Sequence, residues 1–209
     1  YSLWPVFTTL GLGVPQSVEA RATHTCAIVD HVSRPARNDF SYPTACAIRF
    51  KFAAREGMPE LDLFWYDGGM KPRLPAEVEG HNVEMPIEGI LFVGDQGSIM
   101  AGFNGQNPQL FAKGKSGPLA GEGPSPQGAK PGQRGRGGRH NPWLDAVKGG
   151  EPSPGSFLNA ASITDTVNLG TVALRAGTKV VFDSDAVKIT NAAGANKFMS
   201  RAYRAGWEL

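Results

Sequence analysis

The sequence has no apolar run near the ~18 to 20 residues that a membrane-crossing helix needs, so no helical span and no membrane partner are expected. Tyr1 opens on neither the basic nor the apolar region of a secretory leader. Cysteine is scarce: Cys26 and Cys46 stand alone, with no Cys-x-x-Cys pair, which excludes a cysteine-built zinc cluster. Charge of neither sign prevails, since 21 Lys and Arg face 19 Asp and Glu for a net +2. That is too little to steer the whole molecule onto a polyanion. Also missing are a Gly-x-Gly-x-x-Gly fingerprint behind a predicted strand, a Walker loop, a Gly-x-Ser-x-Gly elbow and a His-Glu-x-x-His helix. Catalysis by a local motif is therefore not written in these residues.

What is abundant is Gly and Pro, at 27 and 16 of 209 residues, against average usages of about 7% and about 5%. Residues 114–155 hold 12 of the glycines and 7 of the prolines, so most of that stretch is expected to be irregular, with a Gly/Pro/Arg-rich loop over 114–139. Between Lys113 and Arg139 six basic residues face one acid, which leaves the rest of the chain mildly acidic. At 41% hydrophobic and 19% charged, the remainder can build a real core. The start without Met leads us to expect a longer product of which these residues are a part.

Leu3, Val6, Phe7 and Leu10 share one helical face and predict a helix ended by Gly11. Period-two alternation predicts strands over Ser17 to Val29, from Cys46 to Phe52 and over Leu61 to Tyr66, with a polar loop from Ser33 to Tyr42. Gly94-Asp95-Gln96-Gly97 joins the apolar runs Gly89 to Val93 and Ser98 to Phe103 as a hairpin. Asn141-Pro142 reads as N-cap and N1 of a short helix, and Ser162 to Asp165 resembles a capping box opening a helix that Gly177 ends. Gly170 within that helix costs ~1 kcal/mol against Ala, which points to a close contact with a sheet. Short strands over Lys179 to Asp183 and Val187 to Thr190 and a last helix over Ala195 to Tyr203 complete the pattern. Strands in a row followed by helices predict an α+β fold, an open and mostly antiparallel β-sheet with helices packed on one face.

Several residues carry possible chemistry. Cys26 and Cys46 are expected as two buried thiols, and their shared parity would also let them pair. His24 reads as a hydrogen-bonded sheet histidine, whereas His140, just before the Asn141 cap, is placed for anion or hydroxyl binding. Asp67 follows the aromatic run Phe64-Trp65-Tyr66 and reads either as a ligand for a sugar hydroxyl or as the first residue of an Asp-Gly-Gly turn. Arg134-Gly135-Arg136-Gly137-Gly138-Arg139 is one Arg-Gly copy without aromatic interleaving. It reads as a solvated loop or an arm to a neighbouring subunit rather than a nucleic-acid contact.

Five segments occur in one order: Phe64 to Pro72 (Phe-Trp-Tyr-Asp-Gly-Gly-Met-Lys-Pro), Gly89 to Ile99, Trp143 to Gly150, Asn168 to Arg175, and Ile189 to Asn191 with Ala195 to Lys197 and Tyr203 to Trp207. In that order they resemble the C-terminal half of the Gfo/Idh/MocA oxidoreductases, the glucose-fructose oxidoreductase and inositol dehydrogenase family, over almost the whole chain. The resemblance implies that residues 1–209 are a substrate-binding and oligomerisation domain. The other half would be an N-terminal Rossmann domain holding NAD or NADP, with no metal. It implies hydride exchange with a sugar or polyol by the complete protein, the acid/base lysine and nucleotide loop lying upstream, and no turnover by this piece. By position it implies substrate contacts from Tyr1, Trp4, His24, Arg37, Asn38, Tyr42 and His140, and a homo-oligomer formed through the sheet. A bacterial cytoplasmic or periplasmic setting follows from the same resemblance. Two other readings stay open: a stand-alone, non-catalytic carbohydrate-binding or scaffold domain, and an NAD-dependent glycoside-cleaving enzyme of the same family.

Overall fold

A computed structural model describes residues 2–36, 41–112, 115–119, 141–153 and 155–208. The fold is α+β, with every strand pairing antiparallel, and the chain divides into two compact units. One comprises Tyr1–Pro5 and Leu74–Ala161, the other Val6–Arg73 and Ser162–Leu209. The strands expected in one row are distributed over three sheets.

The larger unit is built on β1 (Ser17–Ala22), β4 (Cys46–Phe52), β5 (Leu61–Tyr66), β10 (Val180–Asp183) and β11 (Lys188–Ile189), in the order β11-β10-β1-β4-β5. Alternation along β4 buries Cys46, Ile48, Phe50 and Phe52 on one face, in register with Val18 and Ala20 of β1 and with Leu61, Leu63 and Trp65 of β5. Against that face packs α4 (Phe157–Ala176), whose Leu169, Gly170, Val172 and Ala173 are buried. A Cβ on Gly170 would stand 3.2 Å from Phe50 Cζ and 3.3 Å from Ile48 Cδ1, so the glycine lets helix and sheet approach, as its mid-helix position predicted. Gly177, at φ +64, ends α4 in the left-handed conformation open to glycine. Phe7, on α1 (Leu3–Leu10), meets Phe52 edge-on at 6.0 Å.

Several expectations are corrected. The strand predicted over Ser17 to Val29 is two strands. The Thr23 hydroxyl bonds the Thr44 hydroxyl at 2.9 Å and both backbone groups of Ala45, and beyond it the chain leaves the sheet. β2 (Thr25–Val29) then pairs with β3 (Val32–Ala36), which occupies part of the expected polar loop. α4 starts at Phe157 rather than near Ser162. Its first turn is capped by Ser156, whose hydroxyl accepts the Asn159 N–H at 3.4 Å, and Ser162 instead lends its carbonyl to the buried Thr166 hydroxyl at 2.8 Å. The last helix shrinks to a 3₁₀ segment, Ala193–Phe198. Asn196 clamps both backbone groups of Ile189 there and so ties the turn to β11.

In the other unit, β6 (Gly89–Val93), β7 (Ser98–Gly102), β8 (Gln109–Ala112) and β9 (Lys115–Pro118) follow one another in a four-stranded sheet. The hairpin of β6 and β7 is the predicted one, whereas β9 lies inside the stretch expected to be a loop. Val78 of the short α2 (Ala76–Glu79) packs with Met100 and Phe111 at the centre of this unit's core. The Ser98 hydroxyl, fully buried, donates to Glu77 at 2.6 Å. α3 (Pro142–Val147) begins as predicted: Asn141 Oδ1 accepts from the N–H groups of Trp143 and Leu144 at 3.1 and 3.3 Å, with Pro142 at the first helical position.

Candidate functional site

The candidate site lies at one end and on the open face of the five-stranded sheet. At the end, β1, β4 and β5 finish together and the chain is tied by side chains. Asp67 follows β5 directly, and its carboxylate accepts the Cys46 backbone N–H at 2.6 Å, the Cys46 thiol at 3.2 Å and the Trp65 indole N–H at 3.3 Å. Gly68, at φ +64, turns so close to Thr44 and Ala45 that any Cβ there would collide with them. Asp67 is therefore a turn latch with three donors on its two oxygens. Of its two sequence readings the structural one holds, because those oxygens are already engaged.

Burial first, and then the hydrogen bond and charge of Asp67, push the Cys46 thiol from its ordinary 9.0 up to about 12. It stays protonated, a donor and not a nucleophile. Cys26 is exposed on β2 and also free, so the expectation of two buried thiols is corrected and the two do not pair.

Of the seven predicted contact residues, the structure brings two to this end of the sheet. His24 follows Thr23, and Tyr42 stands two residues before Thr44, so both flank the hydroxyl pair that closes the sheet. His24 is exposed in the break between β1 and β2 rather than hydrogen-bonded within a strand, a correction of its sequence reading. Tyr42 is 72% exposed, which leaves its phenol accessible to a ligand. Trp4, on α1, belongs to the other unit and is 37% exposed. Tyr1, Arg37, Asn38 and His140, together with the Arg-Gly run, lie outside the described residues.

Beside the aromatic run that the sequence singled out, the open face carries Arg49, Lys51, Glu60 and Asp62, which it did not. Arg49 pairs with Asp62 at 2.6 Å and lies 5.9 Å over the Phe64 ring, which stacks on Tyr66 at 6.3 Å. The Asp62 carboxylate raises the Arg49 guanidinium above its already high value. Lys51 pairs with Glu60 at 3.0 Å. A depression of ≈ 220 Å³ is lined by Ser17, Glu19, Arg49, Lys51 and Lys179. The face thus offers charged hydrogen-bonding groups beside an aromatic platform, a combination suited to hydroxyl-rich ligands or to a second polar surface. The signal was the alternation itself, since Glu19, Arg21, Arg49, Lys51 and Asp62 all fall on the parity opposite the core.

Among the described residues, no three His, Cys, Asp or Glu side chains come together as a metal set. No strand among them opens through a glycine-rich loop onto a helix N-terminus, and every strand pair is antiparallel. The described residues therefore do not form the βαβ type of dinucleotide site, which needs both features. Comparison with family models, curated proteins and solved structures matches none of them.

Proposed function

We propose that this chain is the substrate-binding and assembly half of an NAD(P)-dependent oxidoreductase that acts on a sugar or related polyol. The observation that carries the reading is the antiparallel sheet with one face sealed by α4 and the other open, bearing the Arg49–Asp62 pair and the Phe64–Tyr66 platform. The ordered motifs of the sequence support it as well. Phe64 to Tyr66 is strand β5, Asp67 to Gly69 its turn, and Asn168 to Arg175 the helix surface with Gly170 against Phe50. The nicotinamide would be held outside these residues, so no hydride step is derived on them. Their part is to orient a polyol, with His24 and Tyr42 at the sheet end as hydroxyl partners, and to form the contact between subunits.

The test is the intact mass of the polypeptide as its source makes it, followed by assay of that polypeptide with NAD, NADP and a panel of sugars. A mass larger by ~100 to 200 residues together with sugar-dependent reduction of the nucleotide is the expected result. A native mass of 22.2 kDa with sugar binding and no response to either nucleotide would replace the reading by a stand-alone carbohydrate-binding domain. Release of an aglycone without net accumulation of reduced nucleotide would move it to NAD-dependent glycoside cleavage.

A further inference from the structure

The register of the five-stranded sheet fixes how charge is shared out on its open face. Glu19 stands opposite Arg49 and Arg49 opposite Phe64, while Ser17 stands opposite Lys51 and Lys51 opposite Asp62. On the other side of β1, Ser17 pairs with Val181 and Val18 with Val180, so Lys179 continues that register opposite Glu19. One row across the sheet therefore reads Lys179, Glu19, Arg49, Phe64, and the next reads Val181, Ser17, Lys51, Asp62. The carboxylates of this face are already engaged: Arg21 holds Glu19 at 2.8 Å, Arg49 holds Asp62 at 2.6 Å and Lys51 holds Glu60 at 3.0 Å. Lys179 is the odd cation, with no carboxylate in ion-pair reach among the described residues.

Ser17 supplies an independent observation. It is only 6% exposed, it lines the ≈ 220 Å³ depression with Glu19, Arg49, Lys51 and Lys179, and its hydroxyl makes no hydrogen bond among the described residues. No fully buried side-chain oxygen among those residues lacks a partner, so the small accessible part of Ser17 includes this hydroxyl, which opens onto the depression. A nearly buried hydroxyl of this kind calls for an acceptor or donor entering from outside. Three cations line the depression against one acid, Glu19, which Arg21 already holds. An oxyanion fits that lining, because it accepts from the Ser17 hydroxyl and offsets the charge of Lys179. A cation would meet three like charges, and a neutral hydroxyl would leave Lys179 uncompensated. From Ser17 on β1 to the Phe64 ring on β5 is two strand spacings, ~10 Å, a span that a hexose carrying an acid group bridges. We propose that this depression is an oxyanion subsite and that the ligand of the open face is a sugar acid. Its carboxylate or phosphate lies over Ser17 between Lys51 and Lys179, and its ring reaches the Arg49–Phe64 platform. The inference rests on the polyol reading of this face and narrows it to an anionic class.

The test is isothermal titration calorimetry of the full 209-residue chain with glucuronate, glucose 6-phosphate and glucose, at low ionic strength where exposed charges are least screened. At least one of the two acids should bind ~tenfold more tightly than glucose, the scale of one hydrogen bond to a charged group, and the tighter of them tells carboxylate from phosphate. The bare ions acetate and phosphate, which lack the hexose, should bind more weakly than the matching sugar acid. Lys179→Met should bring the acid down to the affinity of glucose, and Ser17→Ala should weaken it severalfold. Lys148→Met, at an exposed lysine of the other unit, should not move it. Glucose bound as tightly as both acids would overturn the subsite and leave the polyol reading standing. Binding of none of the three sugars would remove the polyol reading and the subsite with it. A preference for acid that survives Lys179→Met, an equal loss in Lys148→Met, or a bare ion bound as tightly as its sugar acid would each overturn the proposal.

Discussion

Asp67 shows how one carboxylate can be spent on architecture. Removing it in Asp67→Ala would leave the Cys46 N–H and the Trp65 indole N–H without their acceptor, a cost of ~1–3 kcal/mol. Chemical denaturation should read this as a lower midpoint with an unchanged slope. The thiol that Asp67 holds makes a second expectation. Because Cys46 titrates near 12 when folded and at an ordinary 9.0 when unfolded, its contribution is complete below pH 9 and is lost as pH rises toward 12. Cys46→Ala should flatten that alkaline limb of the stability curve. A disulfide reagent at neutral pH should modify Cys26 at once and reach Cys46 only when the chain unfolds. The sequence offered both meanings of Asp67, ligand and turn residue. Only the position of the Cys46 N–H and the Trp65 indole, brought in by the β4–β5 register, decided between them.

At the scale of elements, the helix–sheet contact at Gly170 is the most exacting. Gly170→Val would gain helix propensity but drive its branches into Phe50 and Ile48, which already stand within contact distance of the first carbon. Overpacking of this kind costs ~1–3 kcal/mol and should lower the thermal midpoint of the chain. In the other unit, the Ser98 hydroxyl, and then the backbone N–H of Glu77 itself, hold the Glu77 carboxyl below its ordinary 4.5. That contribution is present above the ordinary value and is lost as pH falls through the lowered one. Glu77→Gln should therefore reduce the acid sensitivity of the β6–β9 unit, measured by hydrogen exchange at acid and neutral pH. The Asn141 cap and the Gly177 stop were legible because each is a local signal. The start of α4 was not, since Ser162 imitates a cap better than Ser156 does. The break at Thr23 escaped too, because the hydroxyl that makes it finds its partners 21 and 22 residues away.

At the scale of the whole molecule, the complete polypeptide is the object to assay. If the native product carries a nucleotide-binding half, the 209-residue chain alone should show no reduction of NAD or NADP with any sugar. The complete product should show it, as a turnover assay of the two side by side would establish. Replacing Arg49 by Ala would remove the cation over Phe64 and unpair Asp62, and should weaken polyol binding severalfold in the complete protein if the open face contacts substrate.

Alternation and caps by themselves determined the α+β class, the core parity of β4 and the β6–β7 hairpin, because these depend on neighbours within a few residues. Tertiary structure alone decided how the strands were apportioned among three sheets, that Cys46 is buried while Cys26 is exposed, and that His24 and Tyr42 share one end of a sheet. Parity says which residues share a face, but it does not say which strand will cover that face. Pairing is chosen by the free energy of burying two distant segments together, and that choice is made only when the chain closes on itself.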